Sequence, residues 1–403
     1  MITIDESFAL LASAIAPLRP VSLPLSSARG FVLAEDVASS IDLPPFVQSA
    51  MDGFAVRSAD TTIASAARPL RLIVTGLSAA GRSTAATTLR EGEAWRIFTG
   101  AELPAGADAV IRQEDVARYE AAIELRQPVH ARANVRGIGE ELARGATIAR
   151  SGQRLTPGAI GSLAMAGIAA VSVAPRVRVA IVVTGDEIVP AGLPVERGQV
   201  FNANEPLALS WFEEAGAEVV ATRVVGDDLA AIGELLADLA ARVDLLVTTG
   251  GASVGDRDHV VEAAGQVGFE TLFWKVRQQP GKPLYAGRLG STIMLGLPGN
   301  PAAVFVGLSV YVRRVLDLMQ GVATAGPRFH RAPLASPVRC NVLREAWCRC
   351  ELVFGTLGEV SLRPLRNQAS HMLSNAAATS ALARIPTGEG EVAEGTLVDW
   401  CEL

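Results

Sequence analysis

The chain has 403 residues, of which 49% are hydrophobic and 19% charged. That is the composition of a folded globular protein, and at roughly 150 residues per domain it allows two to four domains, each with its own core. The formal net charge is −6. No Lys/Arg-rich run occurs, which excludes a nucleic-acid backbone as partner; any anionic ligand must be held by a few placed cations and backbone N–H groups.

Taken in chain order, Thr3 and Glu6 have the spacing of a capping box, and Ile4, Phe8, Leu11 and Ile15 fall on one helical face. Residues 1–26 are expected to be helical. Asp5 and Glu6 stand where a signal peptide would carry positive charge, so the expected compartment is the cytoplasm. Residues 30–45 read as extended and end in Asp42-Leu43-Pro44-Pro45. Residues 70–150 are rich in Gly, Thr and β-branched residues, with alternating runs at Leu70 to Val74 and Ala109 to Arg112, as in a small β-rich domain.

The stretch from Leu155 to Pro175 carries no charge, yet it is rich in Ala and Gly, and Gly167 interrupts it. It reads as a helix opening at Thr156-Pro157 and a strand at 168–173, with no membrane span. From Pro175 onward strands alternate with helices. Strands are expected at 177–183, 217–225, 243–248, 269–276 and 292–297. Helices are expected from near Asn204 to Gly216, from Asp228 to about Arg242, and from about Pro301 to Met319. This is the pattern of a doubly wound, mostly parallel α/β sheet. After Gly321 the helical periodicity stops, and 327–403 reads as a C-terminal β-barrel.

Cys340, Cys348, Cys350 and Cys401 are irregularly spaced and read as reduced thiols in β structure. The histidines show no His-x-x-x-His pair, which argues against a transition-metal site. Lysine is sparse: of 36 Lys plus Arg, only Lys275 and Lys282 are lysine. An ammonium is a compact point charge, suited to a crowded oxyanion site where a planar guanidinium does not fit.

In an open parallel sheet, the loops that follow the strands share one edge, and ligands bind there. Thr184-Gly185-Asp186-Glu187, the run Gly250 to Asp258, and Pro298-Gly299-Asn300-Pro301 all follow strands. Gly250, Gly251 and Gly255 allow backbone N–H groups to approach an anion, and Ser253 adds a hydroxyl. Glu187, Asp256 and Asp258 are oxygen donors of the kind Mg²⁺ uses beside a phosphate. Gln279-Pro280-Gly281-Lys282-Pro283 holds Lys282 in a Pro-fixed loop after Lys275. Two cations with several carboxylates describe a site for an oxyanion and a metal-bound phosphate, where positioning and charge stabilisation carry the chemistry. In the N-terminal half, Asp52 lies between Met51 and Gly53, and Phe98-Thr99-Gly100-Ala101 forms a similar Gly-containing loop.

Seven of these motifs occur together in one order: Ser49 to Ala55, Phe98 to Ala101, Gly106 to Val110, Thr184 to Glu187, Gly250 to Gly255, Pro280 to Pro283 and Gly296 to Pro301. In this set the chain resembles the molybdopterin molybdenumtransferases, the family that includes the C-terminal domain of gephyrin. The resemblance spans nearly the whole chain, to Ser370-His371-Met372-Leu373. It implies a homodimer of four-domain subunits. The domains would be 1–26 with 45–55 and 147–174 (helical and extended), 27–44 with 56–146 (β-rich), 175–326 (molybdopterin-binding α/β) and 327–403 (β-barrel). It further implies that adenylyl-molybdopterin and molybdate react with Mg²⁺ to release AMP, in a cleft shared with N-terminal segments of the partner subunit. Carried over by position, the catalytic set is Asp52, Thr99, Glu187, Asp228, Asp258, Lys275 and Lys282. Substrate contacts fall to Gly250, Gly251, Ser253, Gly255, Pro298, Asn300 and Pro301. A molybdopterin adenylyltransferase and downstream cofactor-handling proteins are the implied further partners.

Two departures stand out. The family often has Lys-Pro-Gly-Lys-Pro where this chain has Gln279 first, so one cation is missing or supplied by Arg277. The family's Gly-Glu-Asp-Ile reads Gly139-Glu140-Glu141-Leu142. Two other readings stay open on sequence: a non-catalytic pterin-binding or scaffold protein, for which Gln279 is the support, and a nucleotidyltransferase that adenylates the pterin. The Asp52 segment counts against the latter.

Overall fold

A computed structural model describes residues 1–84, 86–251 and 259–403. The chain divides into two units, one formed by Asp36–Arg150 with Pro157–Ala169, the other by Met1–Glu35, Ser151–Thr156 and Ala170–Leu403.

The first unit is built on a six-stranded mixed sheet, ordered Ala109–Arg112, Gly53–Val56, Glu93–Ile97, Leu70–Ser78, Ala122–Leu125, Ala117–Arg118. Side chains alternate across a strand, and here both faces find cover. Phe54, Val56, Leu72, Ile111 and Ile123 pack on one side. Ala55, Trp95, Ile97, Val110 and Leu89 pack on the other. The helix Pro157–Met165 begins at the expected proline.

The second unit begins with the helix Ile4–Ala14, whose capping box forms as read: Thr3 Oγ1 accepts from Glu6 N, and Glu6 Oε2 accepts from Thr3 N at 2.7 Å. The helix is shorter than the expected 1–26. Pro17 and Pro20 lack the N–H that would continue it, and Val21–Pro24 is instead a strand paired with Ala170–Ala174.

The α/β sheet has six strands: β1 (Arg178–Thr184), β2 (Glu218–Val225), β3 (Leu245–Thr249), β4 (Phe269–Trp274), β5 (Tyr285–Leu289) and β6 (Thr292–Leu297). Their order is β2-β1-β3-β6-β5-β4. β1, β2, β3 and β6 are parallel. Val179, Ile181 and Val183 face a core with the helices Ile4–Ala14, Asn204–Ala215 and the 301–319 segment. Ala180 and Val182 face a second core with Leu229–Ala240 and His259–Gln266. Each fully buried aliphatic side chain contributes roughly 1.5–3 kcal/mol, which accounts for the near-continuous apolar runs.

β5 is the strand the sequence reading left out. It runs antiparallel to both β6 and β4 and makes the sheet mixed. Gly296 is paired with Tyr285, and a Cβ there would overlap the Tyr285 ring. The expected helix from Pro301 to Met319 is continuous but contains a π turn at Leu308–Val312.

Beyond it, a ladder runs Val360–Pro364, Glu345–Phe354, Ala381–Ile385, Leu397–Glu402, Phe329–Pro333. The bridge between Leu334 and Leu362 brings its two edges together, as expected for a small barrel. All four cysteines are free, and Cys348 and Cys350 lie buried in this ladder. Among the described residues, no helix is long and apolar enough to cross a membrane.

Candidate active site

Sheet register fixes which loops share an edge. β1, β3 and β6 all end on one side, at Thr184, Thr249 and Leu297. β5 runs the other way and therefore starts at that side, with Tyr285 beside Gly296. β4 ends there too, with Trp274 opposite Tyr285. The edge thus carries Glu187, Gly250, Gly251, Pro298, Asn300, Pro301, Lys275 and Lys282 on four loops. At about 4.8 Å per strand, the lysine loop, which joins β4 to β5, lies roughly 10–14 Å from the β3 loop.

Hydrogen bonds fasten these loops to each other. Gly250 N donates to Leu297 O at 3.2 Å. Gly250 has φ +96°, and a Cβ there would lie 2.6 Å from Thr184 O. Its N–H is therefore taken up, and its use is close passage of the backbone rather than anion contact. Asn204, at the start of its helix, donates to Gly299 O at 2.8 Å and to Thr249 Oγ1 at 3.4 Å. Asp186 Oδ1 accepts from Asp227 N at 3.0 Å, joining the β1 and β2 loops. Asn300 Nδ2 donates to Ser370 Oγ at 3.0 Å, while Ser370 O caps Ala302 N at 3.1 Å. Pro301 is the first residue of its helix, and Pro298 is buried. Thr184 Oγ1 and Asn204 Oδ1 are buried without a partner among the described residues.

Lys275 sits at φ +68° with its ammonium 4.1 Å from the centre of the Trp274 ring. Its N–H bonds Leu284 O at 2.9 Å, and Val276 N bonds Lys282 O at 3.0 Å, so the chain from Lys275 to Leu284 closes on itself. Lys282 is exposed. Beneath the turn, Gln278 is buried; its Oε1 accepts from Tyr311 Oη at 2.8 Å and Trp347 Nε1 at 3.0 Å, and its Nε2 donates to Gly281 O at 3.2 Å. The neighbouring Gln279 accepts from Asn341 Nδ2 at 2.9 Å, a neutral pairing.

Asp52 and Thr99 belong to the other unit and meet there. Thr99 donates both its N–H and its hydroxyl to Asp52 Oδ1 at 2.8 Å. These two bonds, backbone first, hold the exposed Asp52 carboxyl below its usual range. Asp228 is the N-cap of Leu229–Ala240, accepting from Ala231 N at 2.7 Å, so it has a structural use at the same edge.

Ser253, Gly255, Asp256 and Asp258 lie outside the described residues. Among the described residues, no three His, Cys, Asp or Glu side chains come together to hold a metal ion. The reading from sequence named Asn204 only as a helix start and Asp186 only inside the Thr184–Glu187 motif, gave neither a role, and did not name Asn341. Their signal was faint: an Asn opening a helix after a strand, and short polar residues beside motifs already singled out.

Three family descriptions match in tandem. The MoeA N-terminal region (domain I and II) matches residues 2–167, the probable molybdopterin binding domain 180–317, and the MoeA C-terminal region (domain IV) 331–403. They define a multidomain protein built around a molybdopterin-binding domain. Among curated relatives, a molybdopterin molybdenumtransferase 2 of Mycobacterium tuberculosis is 36% identical, with all of both chains covered. The molybdopterin molybdenumtransferase of Synechococcus elongatus is 34% identical over 95% of this chain and 94% of that one. The crystal structure of a molybdopterin biosynthesis protein from Pyrococcus horikoshii superposes with a TM-score of 0.84 at 28% identity, covering 100% of this chain and 99% of that one. The chain belongs to the molybdopterin molybdenumtransferase family, and it is a transferase.

Proposed function

We propose that this transferase inserts molybdate into adenylyl-molybdopterin and releases AMP, giving molybdenum cofactor, in the cytoplasm. The observation that carries the reading is the single sheet edge shared by both lysines, Glu187, the Gly250–Gly251 turn and the Pro298–Pro301 loop. Lys275 and Lys282 supply the positive charge for molybdate and for the phosphates. Gly250, Gly251, Pro298, Asn300 and Pro301 are the proposed substrate contacts on these loops, and Ser253 and Gly255 are proposed with them.

Mg²⁺ fits the donor set, which is carboxylate oxygen: Glu187 is exposed at the edge, and Asp256 and Asp258 are the proposed companions. When bound, it would neutralise phosphate charge. Mg²⁺ needs only one or two carboxylates beside a substrate phosphate, so a preformed cage is unnecessary. The protein's own task is then positioning and electrostatic stabilisation at the phosphoanhydride.

A homodimer follows the family pattern, with the Asp52–Thr99 pair of one subunit serving the α/β edge of the other, and with the four-domain division given above. The adenylyltransferase that supplies the substrate and the proteins that take the product are proposed as transient partners. The site assignment is tested by Asp258→Ala and Lys275→Ala. Each is expected to keep the dimer, by sedimentation, and to lose AMP release. Turnover at the wild-type rate in either variant would remove that residue from the site.

A further inference from the structure

Away from the sheet edge, a cavity of about 300 Å³ is lined by Gly30, Phe31, Arg154, Arg176, Glu214 and Arg313, among others. Three arginines from three separate segments meet one glutamate at its wall. Their charges are unevenly matched. Arg154 gives Nη1 to Gly30 O at 2.8 Å and Nη2 to Gln320 Oε1 at 3.0 Å, while its one carboxylate, Asp317, stands at 3.5 Å. Burial pushes the Arg154 guanidinium down and Arg313 adds repulsion, with Asp317 opposing both. Asp317 also receives Gly326 N at 3.1 Å, and its carboxyl is raised by burial.

Arg176 lies over the Phe31 ring at 5.2 Å and gives Nη1 to Gly216 O at 3.2 Å. Arg313 lies over the Trp211 ring at 5.0 Å. Among the described residues, neither forms an ion pair. The aromatic rings restrict where both guanidinium groups sit, which reduces the ordering cost of a new hydrogen bond. Like charges gathered in a concave wall lower the potential energy of an anion there.

We infer that this cavity is a binding site for a phosphate group, free or borne by a small molecule, separate from the proposed catalytic edge. Arg176 and Arg313 are its ligands, and Arg154 sets the positive potential behind them. Planar guanidinium forks match the tetrahedral oxyanion, and the volume, at the lower bound of small-ligand pockets, leaves room beyond a bare phosphate. Glu214, in the same wall, selects against more highly charged anions.

The test is calorimetric titration of the full chain with inorganic phosphate. The wild type is compared with the Arg176→Gln/Arg313→Gln double variant and with Lys275→Ala/Lys282→Ala. Arg154 is left alone because its hydrogen bonds hold two segments together. Phosphate affinity is expected to fall at least tenfold in the arginine variant and to persist in the lysine variant, with both melting as cooperatively as the wild type. Tighter binding of glycerol 3-phosphate than of phosphate identifies a carried group; equal binding identifies the free ion. Undiminished binding in the arginine variant, or loss confined to the lysine variant, overturns the inference. So does altered self-association of the arginine variant with phosphate binding unchanged, which assigns these arginines to a contact between copies. None of these outcomes depends on AMP release.

Discussion

The Asn204 amide donates to the Gly299 carbonyl across 2.8 Å, fastening the start of one helix to the loop that opens another. Both belong to the carboxyl edge of the sheet, and Asn204 is only 6% exposed. Asn204→Ala removes this part-buried hydrogen bond, at a cost of about 0.5–1.5 kcal/mol. Urea denaturation is expected to show that loss with an unchanged m-value. AMP release should fall more than tenfold, because two loops of the proposed site lose their common anchor.

Thr99→Val removes the hydroxyl that Asp52 accepts while the backbone donor remains. The Asp52 carboxyl, lowered in the wild type, should titrate nearer its ordinary value in the variant, as read by carbon NMR of the side chain. A depressed carboxyl stabilises the fold above its unfolded value, and that contribution disappears as pH falls through the folded value. The stability difference between wild type and variant should therefore close in acid, below about pH 4. A difference that widened in acid would contradict the assignment.

Gly250→Ala meets two obstacles together. The residue holds φ +96°, and the new methyl would lie 2.6 Å from Thr184 O. Left-handed strain alone costs about 1–2 kcal/mol, and the backbone contact adds to it. A fall in melting temperature together with lost turnover is the expected result.

Gln278→Leu keeps the volume but leaves Tyr311 Oη and Trp347 Nε1 buried without their acceptor. We expect a loss of roughly 2–4 kcal/mol in chemical denaturation. Adding Tyr311→Phe should cost less than the single changes predict together, since both break one network.

The α/β frame was legible because its signals are local. Val179 to Val183 is apolar throughout, since a parallel strand is covered on both faces, and Gly216 at φ +74° ends its helix where a glycine was read. Tyr285–Leu289 gave no such sign. Gly287 and Arg288 interrupt its pattern, and its place depends on Gly296 making room for Tyr285, which is a fact of the fold. The N-terminal helix was overextended to residue 26, whereas it ends at Ala14, ahead of Pro17 and Pro20, which lack the N–H to continue it. In the loops of the proposed site, glycines, prolines and lysines were the residues that stood out in the sequence. Asn204 and Asn341 did not, because a single amide in a loop carries no pattern until its partner is known.

The central claim is that the edge bearing Lys275 and Lys282 couples oxyanion capture to AMP release, despite Gln279. It is tested most directly by giving the purified protein adenylyl-molybdopterin and Mg²⁺, with and without molybdate, and measuring AMP. The account predicts molybdate-dependent AMP, with molybdenum bound stoichiometrically to the pterin product. Tight binding of the adenylyl-molybdopterin with no AMP under either condition would contradict it.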